Sequence, residues 1–125
     1  MDAHISQARI YRRFECEVAA GYLALKGMQI LAKDWKCDCG SADVVALDGD
    51  ILVFASARIY GTMTDFPEWA SSSEALARRE SVAARYVAEH HDIANLKVRH
   101  DRVEAIAQNP SEGLFRHHVD AFSLL

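Results

Sequence analysis

A membrane-spanning segment is the first thing this sequence lacks: no apolar run approaches the roughly 20 residues that cross a bilayer. No signal-peptide pattern opens the chain either. Cysteine is scarce and odd in number, with only Cys16, Cys37 and Cys39. That count excludes the disulfide framework of a small secreted domain and points to a reducing, cytoplasmic setting. An excess of positive charge is also missing. The net charge of −4 gives no global pull toward nucleic acid, so any such role needs a local basic patch. Internal repeats and low-complexity tracts are absent. What remains is a chain of 125 residues, half of them hydrophobic, read as one domain over residues 1–125 with a core of ordinary size.

The stretch from Ser41 to Ile59 organises the rest. Val44 to Leu47 and Ile51 to Phe54 are apolar runs on either side of Asp48-Gly49-Asp50. Such runs around a glycine that can take positive φ predict a hairpin. Both arms are apolar on both faces, so the hairpin is expected at the centre of a sheet with a cover on each side. Asp43, Ser56 and Arg58 interrupt that pattern. Ser56 and Arg58, two apart on one strand, share a face, and Asp43 is expected to meet them from the neighbouring strand.

Around the hairpin the pattern is regular. His4 to Lys26 predicts a helix whose stripe is Ile10, Phe14, Val18, Tyr22 and Leu25, with Gly27 as its C-terminal stop and Gly21 as a site of close packing. Met28 to Trp35 predicts a strand near a sheet edge, and Lys36 to Gly40 a short loop. Tyr60 to Trp69 is irregular. Ser71 to Glu74 fits a capping box for a second helix ending near His91, with Leu76, Val82, Ala83, Tyr86 and Val87 buried. Leu96 to Ile106 and Leu114 to Phe122 predict two further strands, separated by turn residues from Asn109 to Gly113. The order is α-β-β-β-α-β-β: an α/β fold with a mixed central sheet flanked by helices.

The chain resembles the small YraN-like proteins of the restriction-endonuclease-like, or PD-(D/E)XK, nuclease superfamily. The residues carrying the likeness are Tyr22-Leu23, Gly27, Ile30-Leu31-Ala32, Trp35-Lys36-Cys37, Gly40 with Asp43, Ala46, Asp48-Gly49 and Leu52-Val53-Phe54. A weaker tail includes Arg99, Asp101, Val103 and Ala121-Phe122. The resemblance implies a single nuclease-like domain with restriction-endonuclease-like topology. It also implies a site in which a carboxylate before the hairpin and a Glu-x-Lys after it hold Mg²⁺ against a phosphodiester, joined by a glutamate from the first helix.

This chain departs from that motif. The Gly-Glu-x-Asp of the relatives reads Gly40-Ser41-Ala42-Asp43, the Glu-x-Lys reads Ser56-Ala57-Arg58, and the first-helix glutamate aligns with Cys16, flanked by Glu15 and Glu17 on other faces. A serine hydroxyl is a poor Mg²⁺ ligand. Arg58 keeps a positive charge but stays protonated at any useful pH, so it binds phosphate and does not act as a base. Asp43, Ser56 and Arg58 are therefore the positions of a degenerate catalytic motif, and no metal or other cofactor is expected; Mg²⁺ enters only if the site is an active nuclease.

Three readings of function stand side by side. The residues favour a catalytically degenerate endonuclease-like domain that binds nucleic acid through a basic groove of Arg58, Arg78, Arg79 and Arg99. A second reading keeps the fold as a scaffold for a protein partner or a homodimer, with Asp43 and Arg58 simply paired across the hairpin. The third is an active nuclease recruiting a displaced acid, Glu17 or Glu74. Arg12-Arg13, Arg85, Lys97 and Arg102 are further cations, each expected on a solvated face. Cys37 and Cys39 lack the second ligand pair of a structural zinc site. His90-His91 and His117-His118 are expected at the surface.

Overall fold

Valine, alanine and leucine run almost unbroken through the two arms of the central hairpin, and burial on both faces is the reason. The computed structural model describes residues 2–60, 73–109 and 112–121. Helix α1 (Asp2–Leu25) precedes strands β1 (Gln29–Cys37), β2 (Gly40–Asp48) and β3 (Ile51–Tyr60). Helix α2 (Ser73–Glu89), a 3₁₀ turn at His91–Ile93, and strands β4 (Lys97–Asn109) and β5 (Glu112–His118) follow. The five strands lie in sequence order across one sheet. All neighbours are antiparallel except β3 and β4, which are parallel. A parallel pair needs a crossover, and α2 lies in it. The α-β-β-β-α-β-β order and the edge position of β1 are as the sequence predicts.

Alternation along the strands divides the core in two. Val44, Ala46, Val53, Ala55 and Ala57 face α1, where Ala19, Ala20 and Leu23 cover them. Val45, Leu52 and Phe54 face α2, beneath Val82, Ala83 and Tyr86. Leu23 and Leu52 are wholly buried, and each such side chain contributes about 1.5–3 kcal/mol relative to exposure. The hairpin turns at Gly49, whose φ of 62° is open to glycine at little cost. Gly27 (φ 95°) stops α1: its N–H bonds the Ala24 carbonyl, the Met28 N–H bonds the Leu23 carbonyl, and Met28 and Leu23 meet in the core. Among the described residues no helix is long and apolar enough to cross a membrane.

Several expectations are corrected. The buried face of α1 is Glu15, Cys16, Ala19, Ala20 and Leu23, while Phe14 is 54% and Leu25 89% exposed. The stripe of large side chains misleads because this helix lies on a floor of alanine and valine, where small residues allow close approach. Gly21 is exposed, and a Cβ there would meet nothing within 4 Å, so it marks no tight packing. On α2 Ala75 is buried where Leu76 is only half-buried. The Lys36–Gly40 loop is mostly strand, with the turn reduced to Asp38 and Cys39. Ser71 of the capping box, the 61–69 part of the irregular segment, Pro110 and Ser111 of the last turn, Phe122, and the side chain of Ile10 lie outside the described residues.

His117 and His118 are not idle surface groups. His117 Nε2 lies 2.8 Å from an Asp101 oxygen, and His118 Nε2 2.8 Å from a Glu104 oxygen. Asp101 is completely buried between β4 and β5. It accepts bonds from Arg99 Nε (2.8 Å), Arg99 Nη2 (2.9 Å) and the Asp120 N–H (3.0 Å). Burial alone would raise its pKa, but these donors and His117 outweigh it and hold the carboxyl below the usual range. A carboxyl so depressed contributes its full stability above its unfolded pKa of about 3.9 and loses it as pH falls through the lower folded value. Asp101→Asn leaves the Arg99 cation without its main partner and is expected to cost about 3–5 kcal/mol in urea unfolding at neutral pH. A loss under about 1 kcal/mol, the size of an exposed pair, would contradict this account.

Candidate functional site

The site arises where β2 and β3 part. Their ladder runs from Asp48–Ile51 to Val44–Ala55. Beyond it β2 stays with β1 as far as Gly40–Cys37, and β3 stays with β4 as far as Tyr60–Ile106. The β3 backbone past this point has lost its neighbour on one side, and a buried N–H left unbonded costs about 1–3 kcal/mol. Two carboxylates take the place of the missing strand. Asp43 Oδ2 accepts from the Ala57 N–H at 2.8 Å, and Glu15 Oε2 from the Ile59 N–H at 2.7 Å.

One guanidinium ties the two acids together. Arg12 Nη2 donates to Asp43 Oδ1. Its Nη1 donates to Glu15 Oε1 at 2.6 Å and to the Ala57 carbonyl at 3.1 Å. Burial would lower the Arg12 pKa, but Asp43 and Glu15 push it further up, so this cation is permanent. Arg58 stands farther out. Its Nη1 bonds the Ala57 carbonyl at 2.7 Å, lies 3.6 Å from Asp43 Oδ2, and the side chain is 45% exposed. The closer partner of Asp43 is therefore Arg12.

Between these groups and α2 lies a cleft of about 310 Å³. Asp43, Ser56 and Arg58 all line it, as the hairpin pattern predicts, and Arg78 and Arg79 reach it from α2. Arg12, Ser41 and His100 add to its polar wall, and the His100 ring stacks on Phe54 at 5.8 Å between centroids. The cleft is electropositive. Burial, then Arg58 and Arg78, lower the Arg79 pKa; burial, then Arg79, lower that of His100. Arg99 does not join them: its guanidinium is on Asp101 and Asp48.

Arg12, Glu15 and His100 are the residues the sequence pattern missed. Arg12 and Glu15 are three apart and share a face with Cys16 and Ala19; that spacing was the available signal. Glu15, rather than the residue at position 16, supplies the helix carboxylate. Cys16 is buried, and its thiol is pushed up to about 11 by burial and then Asp43. Glu17 bonds Lys33 at 3.0 Å, and neither it nor Glu74 lines the cleft. The donor set does not suit Mg²⁺. Both oxygens of Asp43 and both of Glu15 already face protein donors, with a guanidinium between the acids. A hard cation needs such anionic oxygens open to it.

Residues 16–107 match the family described as "Uncharacterised protein family UPF0102". The chain is 36% identical over 92 residues to a UPF0102 protein of Arthrobacter sp. strain FB24, covering 73% of this chain and 75% of that one. It is 37% identical over 105 residues to one from Frankia casuarinae, covering 83% and 86%. A third, from Beutenbergia cavernae, is 32% identical over 91 residues, covering 72% and 74%. The matched family span begins one residue after Glu15.

The geometry ranks two substitutions. Arg12→Ala strands two buried carboxylates, and its cost is expected at the lower end of about 3–5 kcal/mol. Adding Asp43→Asn should recover part of it. Arg58→Ala removes a half-exposed cation and should cost about 0–1 kcal/mol. Urea unfolding of the four proteins tests the order; equal losses for Arg12→Ala and Arg58→Ala would show that Arg12 is not the cation that holds the two acids.

Proposed function

The chain belongs to the UPF0102 family, and we propose that this member binds the phosphate backbone of nucleic acid in the arginine cleft without cleaving it. The observation that carries this reading is the convergence of Arg12, Arg58, Arg78 and Arg79 on one cleft where Asp43, the one acid among the described lining residues, is already bonded to Arg12. Burial first, and then the neighbouring cations, hold the Arg79 and His100 pKa values down, and a bound anion would offset the second of these causes. Guanidinium groups match phosphate oxygens in pairs and read no base by doing so. Binding is therefore general in sequence and steep in salt.

The chemistry available here is binding. A guanidinium such as that of Arg58 binds phosphate and does not serve as a base that generates a nucleophile. Ser56 adds a neutral hydroxyl where a metal site would need a second open carboxylate. The acids that remain bond the sheet backbone, and freeing them for a cation would release Ala57 and Ile59 N–H groups. A nuclease using Glu17 or Glu74 has no support from the lining of the cleft.

Fluorescence anisotropy against single- and double-stranded oligonucleotides over a range of salt tests the proposal. Arg58→Ala and Arg79→Ala should each weaken binding alike across sequences, and each should reduce the log–log salt slope by about 0.9 on duplex or about 0.7 on single strands. Lys97→Ala is the control, because Lys97 pairs with Ile51 near the opposite end of the β3–β4 ladder. Salt-independent binding, or equal effects of Lys97→Ala and Arg58→Ala, would remove the proposal.

Titration calorimetry with Mn²⁺ addresses the metal separately. No micromolar binding at Asp43 is expected. Micromolar binding abolished by Asp43→Asn would return the site to metal chemistry.

A further inference from the structure

The turn from β1 to β2 holds two thiols side by side. Cys37 pairs with Gly40 across the turn, and its Sγ lies 3.1 Å from the Sγ of Cys39. Cys39 is exposed and Cys37 half-buried, whereas Cys16 is sealed in the core. The residue between the thiols is pinned from α2: Arg85 Nη1 and Nη2 donate to Asp38 Oδ1 at 2.8 and 2.6 Å. Ser81, Ala84 and Ala88 of α2 are small and leave an open shelf beside Cys39. An incoming molecule has room to reach that sulfur. A closed zinc site would need four ligands. Among the described residues the candidate ligand group here is Cys37, Cys39 and Asp38, whose carboxylate is bonded to Arg85.

We propose that Cys37 and Cys39 are a modification site, a dithiol that small-molecule disulfides oxidise reversibly to a Cys37–Cys39 disulfide. The Cys39 thiolate attacks one sulfur of the external disulfide, bonds to it and expels the other half as a thiolate. The Cys37 thiolate then attacks Cys39 Sγ, closes the intramolecular bond and expels the second half. The two protons lost by the cysteines go to the two expelled thiolates. Two electrons pass from the protein to the external disulfide, and nothing else is consumed.

The geometry suits this reaction. Closing the sulfurs from 3.1 Å to a bonded separation of about 2.05 Å needs only a small side-chain rotation. One intervening residue makes a tight ring, and strained, exposed disulfides have more oxidising potentials and are readily reduced. The bond is thus reversible rather than structural. The hydrogen bond to Cys37 holds the Cys39 thiol above its usual range, so exchange should accelerate as pH rises into the alkaline range.

The experiment treats the folded protein with excess oxidised glutathione at mildly alkaline pH, then alkylates with N-ethylmaleimide in denaturant and digests with trypsin. Cleavage after Lys36 and Arg58 leaves Cys37 and Cys39 in one peptide. That peptide should lose two hydrogens and carry neither maleimide nor glutathione, while Cys16 remains alkylated. Dithiothreitol before alkylation should restore two alkylated thiols. Cys39→Ser should abolish the two-hydrogen loss, and Cys16→Ser should leave it unchanged. Full alkylation of Cys37 and Cys39 under these conditions, a lasting glutathione adduct on wild type, or an interchain disulfide would each overturn the proposal.

Discussion

The separation of β2 from β3 beyond Val44 and Ala55 is the constraint from which the site follows. A central strand that loses one neighbour leaves backbone donors that need other partners. Asp43 and Glu15 answer that demand by accepting from Ala57 and Ile59. Their charges then need a cation, and Arg12 meets both from α1 while also bonding the Ala57 carbonyl. The helix is thereby registered on the sheet by ionic bonds near its middle, as it is by Leu23 and Met28 at its C-terminal end.

The same logic recurs toward the β5 edge of the sheet. Asp101 and Glu104 are both buried on β4, and each receives a histidine from β5. Removing one partner from such a group is costly even where the pair as a whole adds little net stability. These acids are therefore constraints on register and orientation. Arg99 belongs to this network, and its engagement there keeps it out of the cleft.

The cleft takes its character from what replaces the family-like motif. Ser56 and Arg58 share the wall with Asp43, as the alternation of β3 requires, but the balance of charge is reversed. A site built on open carboxylates attracts cations. Here the carboxylates are turned to the backbone, and arginines from α1, β3 and α2 face the space between. Burial lowers the basicity of Arg79 and His100, and the neighbouring arginines lower it further.

The hairpin, the order of elements along the chain and the shared wall of Asp43, Ser56 and Arg58 were legible in the sequence because they depend on local signals. Alternation sets which side chains share a face, and the turn glycine sets where the chain reverses. The packed face of α1 was not legible: hydrophobic periodicity weights bulky side chains such as Phe14 and Leu25, whereas the alanine-rich sheet selects small ones. Nor was the role of Arg12 and Glu15, although their spacing was visible. Besides each other and Asp43, their partners are the Ala57 carbonyl and the Ile59 N–H, more than forty residues away. Those amides need partners only because β1 holds β2 and β4 holds β3 along diverging paths. Sequence by itself determined which residues stand on each face of each strand. Where the ladder opens, and so which charges are spent on the backbone and which are left to the cleft, was decided only when the strands came together.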